Sequence, residues 1–214
     1  MRSSLKGKKI LVTCGPTWVA IDPVRVISNV SSGELGQLLT KALLKQGARV
    51  TLLEGPVANP FADRRAKVIR FRFFDELHKT FRQELGKHYA AVVHAAAVAD
   101  FQPVRPSPKK IDSRGGRLKL ELMPTPKLIN AVKRTSPQTF LVGFKLRPGL
   151  TQRSAQAASR ELFKDAHCDL VVANTCSKAG YRAWILDTDV KVLTQASSRR
   201  QLVEKLTQLL SQRL

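Results

Sequence analysis

An α/β fold, with a mainly parallel sheet between two helical layers, is predicted by three features of the 214-residue sequence. Apolar runs recur from Ile10 to Leu210, too regularly for a disordered chain. Short runs rich in β-branched residues alternate with stretches whose leucines repeat at helical spacing. Most of the short runs are apolar throughout, which suits strands buried on both faces. The length fits one domain over 1–214, able to bury roughly 70% of its unfolded surface.

Residues 9–13 (KILVT) read as a buried strand that stops at Gly15-Pro16, and a polar stretch follows to Ser32. Ser31 and Glu34 have capping-box spacing, so a helix starts there. Leu35, Leu38, Leu39, Leu43 and Leu44 form its buried stripe, and Gly47 ends it. Strands are expected at 49–53 and 67–71, a helix at 75–85 and an apolar strand at 90–97. Residues 102–117 are rich in Pro, Lys, Arg and Gly, and 118–122 read as a strand outside the main sheet. Together 102–123 are expected to form a mobile basic flap. A short helix at 125–133, a strand at 139–144, a helix at 153–166 and a strand at 169–173 follow. A hairpin is expected over 183–193, turning near 187–189, and a last helix over 198–214 carries Leu202, Leu206, Leu209 and Leu210 on one face.

The chain carries 37 Lys and Arg against 16 Asp and Glu, a formal charge of +21. A field of that sign draws nucleotides, phosphorylated metabolites or nucleic acid. No apolar run approaches the roughly 20 residues of a membrane span. The run at 10–14 is too short for a signal-peptide core. Three cysteines without a Cys-x-x-Cys spacing point to free thiols in a reducing, cytoplasmic setting.

Open parallel sheets bind ligands beyond the C-terminal ends of their strands. The loop after the first strand ends in Ser31-Ser32-Gly33-Glu34-Leu35-Gly36. A helix N-terminus there is a ready anion site, with Gly33 and Gly36 admitting a phosphate to the backbone. It reads equally well as a capped helix with no special ligand. After the 90–97 strand, Ala95-Ala96-Ala97 let a flat group lie on the backbone, and Asp100 suits a ribose or a metal; a tightly packed strand end explains them as well. The basic residues Arg105, Lys109, Lys110, Arg114 and Arg117 suit a flap closing on a polyphosphate, or simply a solvated loop. Gly143-Phe144-Lys145-Leu146 and Ala173-Asn174 stand at two further strand ends.

Gly15-Pro16-Thr17 with Ile21-Asp22-Pro23-Val24-Arg25, Ile27-Ser28-Asn29 and Ser31-Ser32-Gly33 form a specific series. Ala95 to Phe101, Lys110-Ile111, Thr125-Pro126, Val142-Gly143-Phe144 and Val172-Ala173-Asn174 continue it along almost the whole chain. The series resembles the phosphopantothenate–cysteine ligases of coenzyme A biosynthesis, in a stand-alone form without a flavin-dependent decarboxylase half. The resemblance implies a Rossmann-like three-layer fold and a cytoplasmic homodimer. It implies three substrates, 4′-phosphopantothenate, L-cysteine and a nucleoside triphosphate, CTP or ATP, together with Mg2+. It assigns catalysis to Asn29 and Lys110. It places the nucleotide on Gly15, Ser31, Ser32, Gly33, Gly36, Ala96, Asp100, Lys110 and Phe144, the acid on Asn29, Arg25 and Ala97, and the metal on Asp100.

The sequence departs from that family at several charges. Trp18-Val19 replace Arg-Glu, Glu34 replaces a lysine, Asp112 replaces a lysine and Thr175 replaces an aspartate. His94 stands where an apolar residue is common and reads as a packed, neutral side chain. A catalytically altered nucleotide-binding homologue therefore remains an alternative. So does a basic nucleic-acid-binding protein, although aromatic residues are only 6% and Arg199, Arg200 and Lys205 read as a solvated helix face. A short-chain dehydrogenase would place Glu54 on a ribose but needs Tyr-x-x-x-Lys, which is absent here.

Overall fold

The computed structural model describes residues 5–177 and 180–214. Strand β1 (Lys9–Cys14) leads into β2 (Trp18–Asp22) and β3 (Arg25–Ser28), then α1 (Glu34–Lys45) and β4 (Arg49–Glu54). Next come β5 (Lys67–Arg70), α2 (Phe74–Leu85), β6 (Ala91–His94), β7 (Phe101–Pro103) and β8 (Leu122–Pro124). A 3-10 turn at Leu128–Asn130 enters α3 (Ala131–Thr135), followed by β9 (Phe140–Leu146) and α4 (Gln152–Ala166). The order closes with β10 (Leu170–Ser177), β11 (Gly180–Leu186), β12 (Val192–Ala196) and α5 (Arg199–Arg213).

Among the described residues one sheet of eight strands runs β12-β11-β10-β9-β6-β1-β4-β5. From β10 to β5 every pairing is parallel. The last two pairings, β10 with β11 and β11 with β12, are antiparallel. The chain builds outward from β1 to β4 and β5, then returns to the other side of β1 as β6, β9 and β10. The strand order therefore reverses between β1 and β6, and a crevice opens there at their C-terminal ends.

Alternation along β1 explains the three layers. Ile10, Val12 and Cys14 pack with Leu39 and Leu43 of α1 and Leu202, Leu206 and Leu210 of α5. Leu11 faces the opposite layer with Phe74, Leu77 and Phe81 of α2 and Val132 of α3. Burying each such side chain contributes about 1.5–3 kcal/mol.

Several expectations are corrected. Residues 18–28 form the hairpin β2–β3 within the stretch read as a polar loop. Its strands are half-exposed and lack a clean apolar alternation, while its turn is built by Asp22, whose Oδ1 accepts from the N–H groups of Val24 and Arg25 at 2.9 Å each. The Ser31–Glu34 capping box does not form. Gly33 is the N-cap, at a left-handed φ of 72°, and the two serines cap weakly: Ser31 Oγ accepts from Gly33 N–H, Ser32 Oγ from Glu34 N–H, both at 3.4 Å. The strand outside the main sheet is 122–124 paired with 101–103, not 118–122. The basic segment is bonded to the hairpin at several points. Ser107 N–H donates to Ile21 O at 2.8 Å, Ile111 N–H to Asp22 Oδ2 at 3.1 Å, and Arg25 Nη1 to Ile111 O at 3.1 Å.

Candidate functional site

A cleft of about 970 Å³ crosses the C-terminal ends of β6, β9 and β10 and the N-terminus of α1. Of the residues expected from sequence, Asn29, Ser31, Ser32, Gly33, Gly36, Ala97, Asp100 and Phe144 line it. Gly36 also sets how close α1 lies to β1, since a Cβ there would stand 2.3 Å from Cys14 Cβ.

The crevice between β1 and β6 is knitted by backbone bonds. Ala97 N–H donates to Gly15 O at 2.9 Å and Thr17 N–H to Ala97 O at 3.3 Å. Ala99 N–H donates to Thr17 Oγ1 at 2.9 Å. Asn29 Nδ2 donates to Ala97 O at 3.3 Å and Val98 O at 3.0 Å. Both neighbours accept only, so the amide nitrogen faces the loop and Oδ1 is left for the cleft. Beneath, Ala96 N–H donates to Thr13 Oγ1 at 3.2 Å, and that hydroxyl meets His94 Nδ1 at 3.0 Å. The Thr13 hydroxyl can both donate and accept, so this contact serves either neutral tautomer of His94. Burial pushes the His94 pKa down to about 4, which makes it the packed neutral group expected.

Four cations stand around the cleft: Lys127, Lys145, Arg147 and Arg199. Lys127 pairs with Asp100. Lys145 Nζ meets Glu161 at 2.8 Å and Arg199 Nε meets Glu34 at 3.5 Å. Lys145 holds Glu161 below the usual carboxylate range, with Arg147 adding to the effect. Among the described residues four carboxylates, Glu34, Asp100, Glu161 and Asp165, line the same cleft, so an anion is drawn chiefly by the open N-terminus of the 12-residue α1.

Four expected residues lie elsewhere. Gly15 and Ala96 support the crevice from behind. Arg25 is engaged by Asp22 at 2.5 Å and by Ile111 O. Lys110 is exposed on the segment that Asp22 tethers, outside the cleft. Sequence reasoning missed Lys127, Arg147 and Tyr181, and read Arg199 as solvated. Lys127 and Arg147 each follow directly on a motif already singled out, Thr125-Pro126 and Gly143 to Leu146.

Glu54 is no ribose ligand. It is buried, accepts from Phe61 N–H at 3.0 and 3.1 Å and from Gln37 Nε2 at 2.8 Å. Cys14 and Cys168 are buried, and burial pushes both thiols up, Cys168 to about 12. Among the described residues no three His, Cys, Asp or Glu side chains group to hold a metal. Asp100, one of the cleft carboxylates and paired with Lys127, is a single exposed carboxylate of the kind that touches a magnesium ion carried in on phosphates. No described helix is long and apolar enough to cross a membrane.

The model of the DNA/pantothenate metabolism flavoprotein C-terminal domain family matches residues 5–214. The coenzyme A biosynthesis bifunctional protein CoaBC of Thermococcus kodakarensis is 39% identical over 208 residues, covering 95% of this chain and 51% of that protein. The CoaBC of Bacillus subtilis is 33% identical over 189 residues, covering 87% of this chain and 44% of that protein. The chain thus spans about half the length of these curated relatives. The crystal structure of the DNA/pantothenate metabolism flavoprotein from Streptococcus pneumoniae superposes with a TM-score of 0.87 at 26% identity, over 97% of this chain and all of that one. With its sheet order, its cleft at the strand ends and this match over nearly its full length, the chain belongs to the DNA/pantothenate metabolism flavoprotein C-terminal domain family.

Proposed function

We propose that this domain is a cytoplasmic phosphopantothenate–cysteine ligase of coenzyme A biosynthesis, using CTP or ATP with Mg2+. The observation that carries it is the cleft at the strand ends over the N-terminus of α1, lined by Asn29, Ser31, Ser32 and Gly33, in a chain related to coenzyme A biosynthesis proteins. A carboxylate oxygen of 4′-phosphopantothenate attacks the α-phosphorus of the nucleotide, and the bond to pyrophosphate breaks. The cysteine amine then attacks the acyl carbon, loses a proton and displaces the nucleoside monophosphate. Both steps bring anions together, so fixed positive charge is the main requirement.

The N–H groups of Leu35 and Gly36, with the Ser31 and Ser32 hydroxyls, receive phosphate oxygens beside Gly33. Lys127 and Lys145 give up their carboxylate partners to neutralise the phosphates. Phe144 offers an apolar wall to the base, and Ala97 leaves room for a flat group. Asn29 Oδ1 accepts from the cysteine amine and aims it at the acyl carbon, a narrower role than the two-sided one its amide alone suggests. Arg25 acts indirectly, holding the segment that carries Lys110. When bound, magnesium on Asp100 would shield the phosphates. Exposed Phe101, Leu122 and Met123 on the paired strands β7–β8 support a homodimer through that ribbon.

Pyrophosphate release is expected only when the acid, a triphosphate and magnesium are present together. Equal release without the acid refutes carboxylate activation.

A further inference from the structure

We propose that Arg199 binds a phosphate of the nucleoside triphosphate, held ready by Glu34 and Tyr181 and passed from carboxylate to phosphate when the nucleotide enters. The assignment rests on the ligase reading above and adds a residue from the last helix to its nucleotide subsite.

Three observations carry it. First, Arg199 is badly placed for its own helix. It follows the N-cap Ser198, whose Oγ accepts from Gln201 N–H at 3.1 Å, and the first turn of α5 holds no acidic residue. Cations at the positive end of a helix dipole are disfavoured, so this arginine is not there for the helix. Second, the guanidinium is aimed. Its Nε lies 3.5 Å from Glu34 Oε2 and its carbon 5.2 Å from the centre of the Tyr181 ring, and all three residues line the cleft. A carboxylate on one side and an aromatic face on the other restrict a side chain that would otherwise sweep solvent.

Third, the pair is weak and its other half is in the way. The two side chains are 38% and 53% exposed and the contact is long, so it contributes little. Yet Glu34 is the first residue of α1, the helix end offered to phosphate. Its carboxylate would repel an incoming anion if nothing covered it. Arg199 covers it, and its planar fork can take two phosphate oxygens at once, which a carboxylate at 3.5 Å does not exploit. Exchange of partners thus improves the arginine's bonding without moving either helix.

The test is calorimetric binding of Mg-CTP and Mg-ATP without the acid, so that nothing turns over, alongside thermal melting. Arg199→Ala should weaken the bound nucleotide roughly tenfold or more, and Arg199→Lys by less, because it keeps the charge and loses the fork. Glu34→Gln should act in the opposite direction, tightening the nucleotide severalfold. A pair that only ties α1 to α5 would instead lower the melting temperature in both variants and leave affinity within twofold, and that result overturns the assignment. Should Arg199→Ala fail to fold, Arg199→Lys and Glu34→Gln still give opposite signs if the assignment is right. If the unaltered protein binds neither nucleotide, the ligase reading and this assignment fall together. If it binds and Arg199→Ala binds as well, only the assignment falls.

Discussion

His94 is sealed against Phe81, ring centres 5.2 Å apart, with only its edge on the cleft. Burial lowers its pKa from 6.5 to about 4, so the folded protein binds fewer protons there than the unfolded chain between those values. Stability from this site is therefore complete above about pH 6.5 and falls as the pH drops toward 4, by up to about 3 kcal/mol. Denaturant melts of the protein and of His94→Met across that range should diverge as acid is added, the variant losing less. At Asn29 the expectation is kinetic. Asn29→Asp keeps the cations and the α1 terminus, so the acyl-nucleotide still forms. The new carboxylate has no N–H for Ala97 O and Val98 O, and a misplaced loop should slow transfer to cysteine by about 100-fold. Mass spectrometry with and without cysteine should find the intermediate accumulating; normal turnover would reduce Asn29 to a turn residue. Small backbone and amide positions of this kind were legible in the sequence, because Asn29, Ser31 and Gly33 sit in one uninterrupted loop. The cations were less so. Lys127 and Arg199 reach the cleft only because β7–β8 and the α1–α5 contact bring them there, and no local pattern encodes either meeting.

Among the elements, the leucine stripes of α1 and α5 announced themselves by period, and β1, β4 and β6 by their apolar runs. The hairpin β2–β3 was silent, since only Val19 and Ile27 of it pack on the core while its turn is built by the polar Asp22. That aspartate also anchors the basic segment. Its burial works to raise its pKa, but donors from Ile111, Val24 and Arg25 outweigh that and hold the carboxyl at about 2. The tether should therefore persist from neutral pH to about 4 and loosen as the pH falls toward 2, where the carboxyl takes up its proton. Asp22→Ala should show the same loosening at neutral pH. Hydrogen exchange is expected to rise at residues 107–111 while β1 and β6 stay protected; unchanged exchange would mean the segment is held by something else.

For the molecule as a whole, three of the apolar residues that the core leaves out sit on the paired strands β7 and β8. Phe101, Leu122 and Met123 are 52%, 42% and 42% exposed, a cost that a second copy would remove. Sedimentation should give twice the chain mass, and Phe101→Asp with Leu122→Asp should give a folded monomer. Twice the chain mass in the double variant would move the interface elsewhere.

The position of β1 in the sheet has a consequence for how the molecule comes into being. Local pairings such as β11 with β12 close short loops, but Thr13 and His94 must meet across 81 residues, after β4 and β5 have been laid down on the far side. Long loop closures come late in folding and limit its speed. Chains still emerging during synthesis, with α1 and β4 already formed, have half of the crevice and no opposite wall. They have the N-terminus of α1, but the wall opposite it arrives only when β6 pairs with β1 and the later strands follow it.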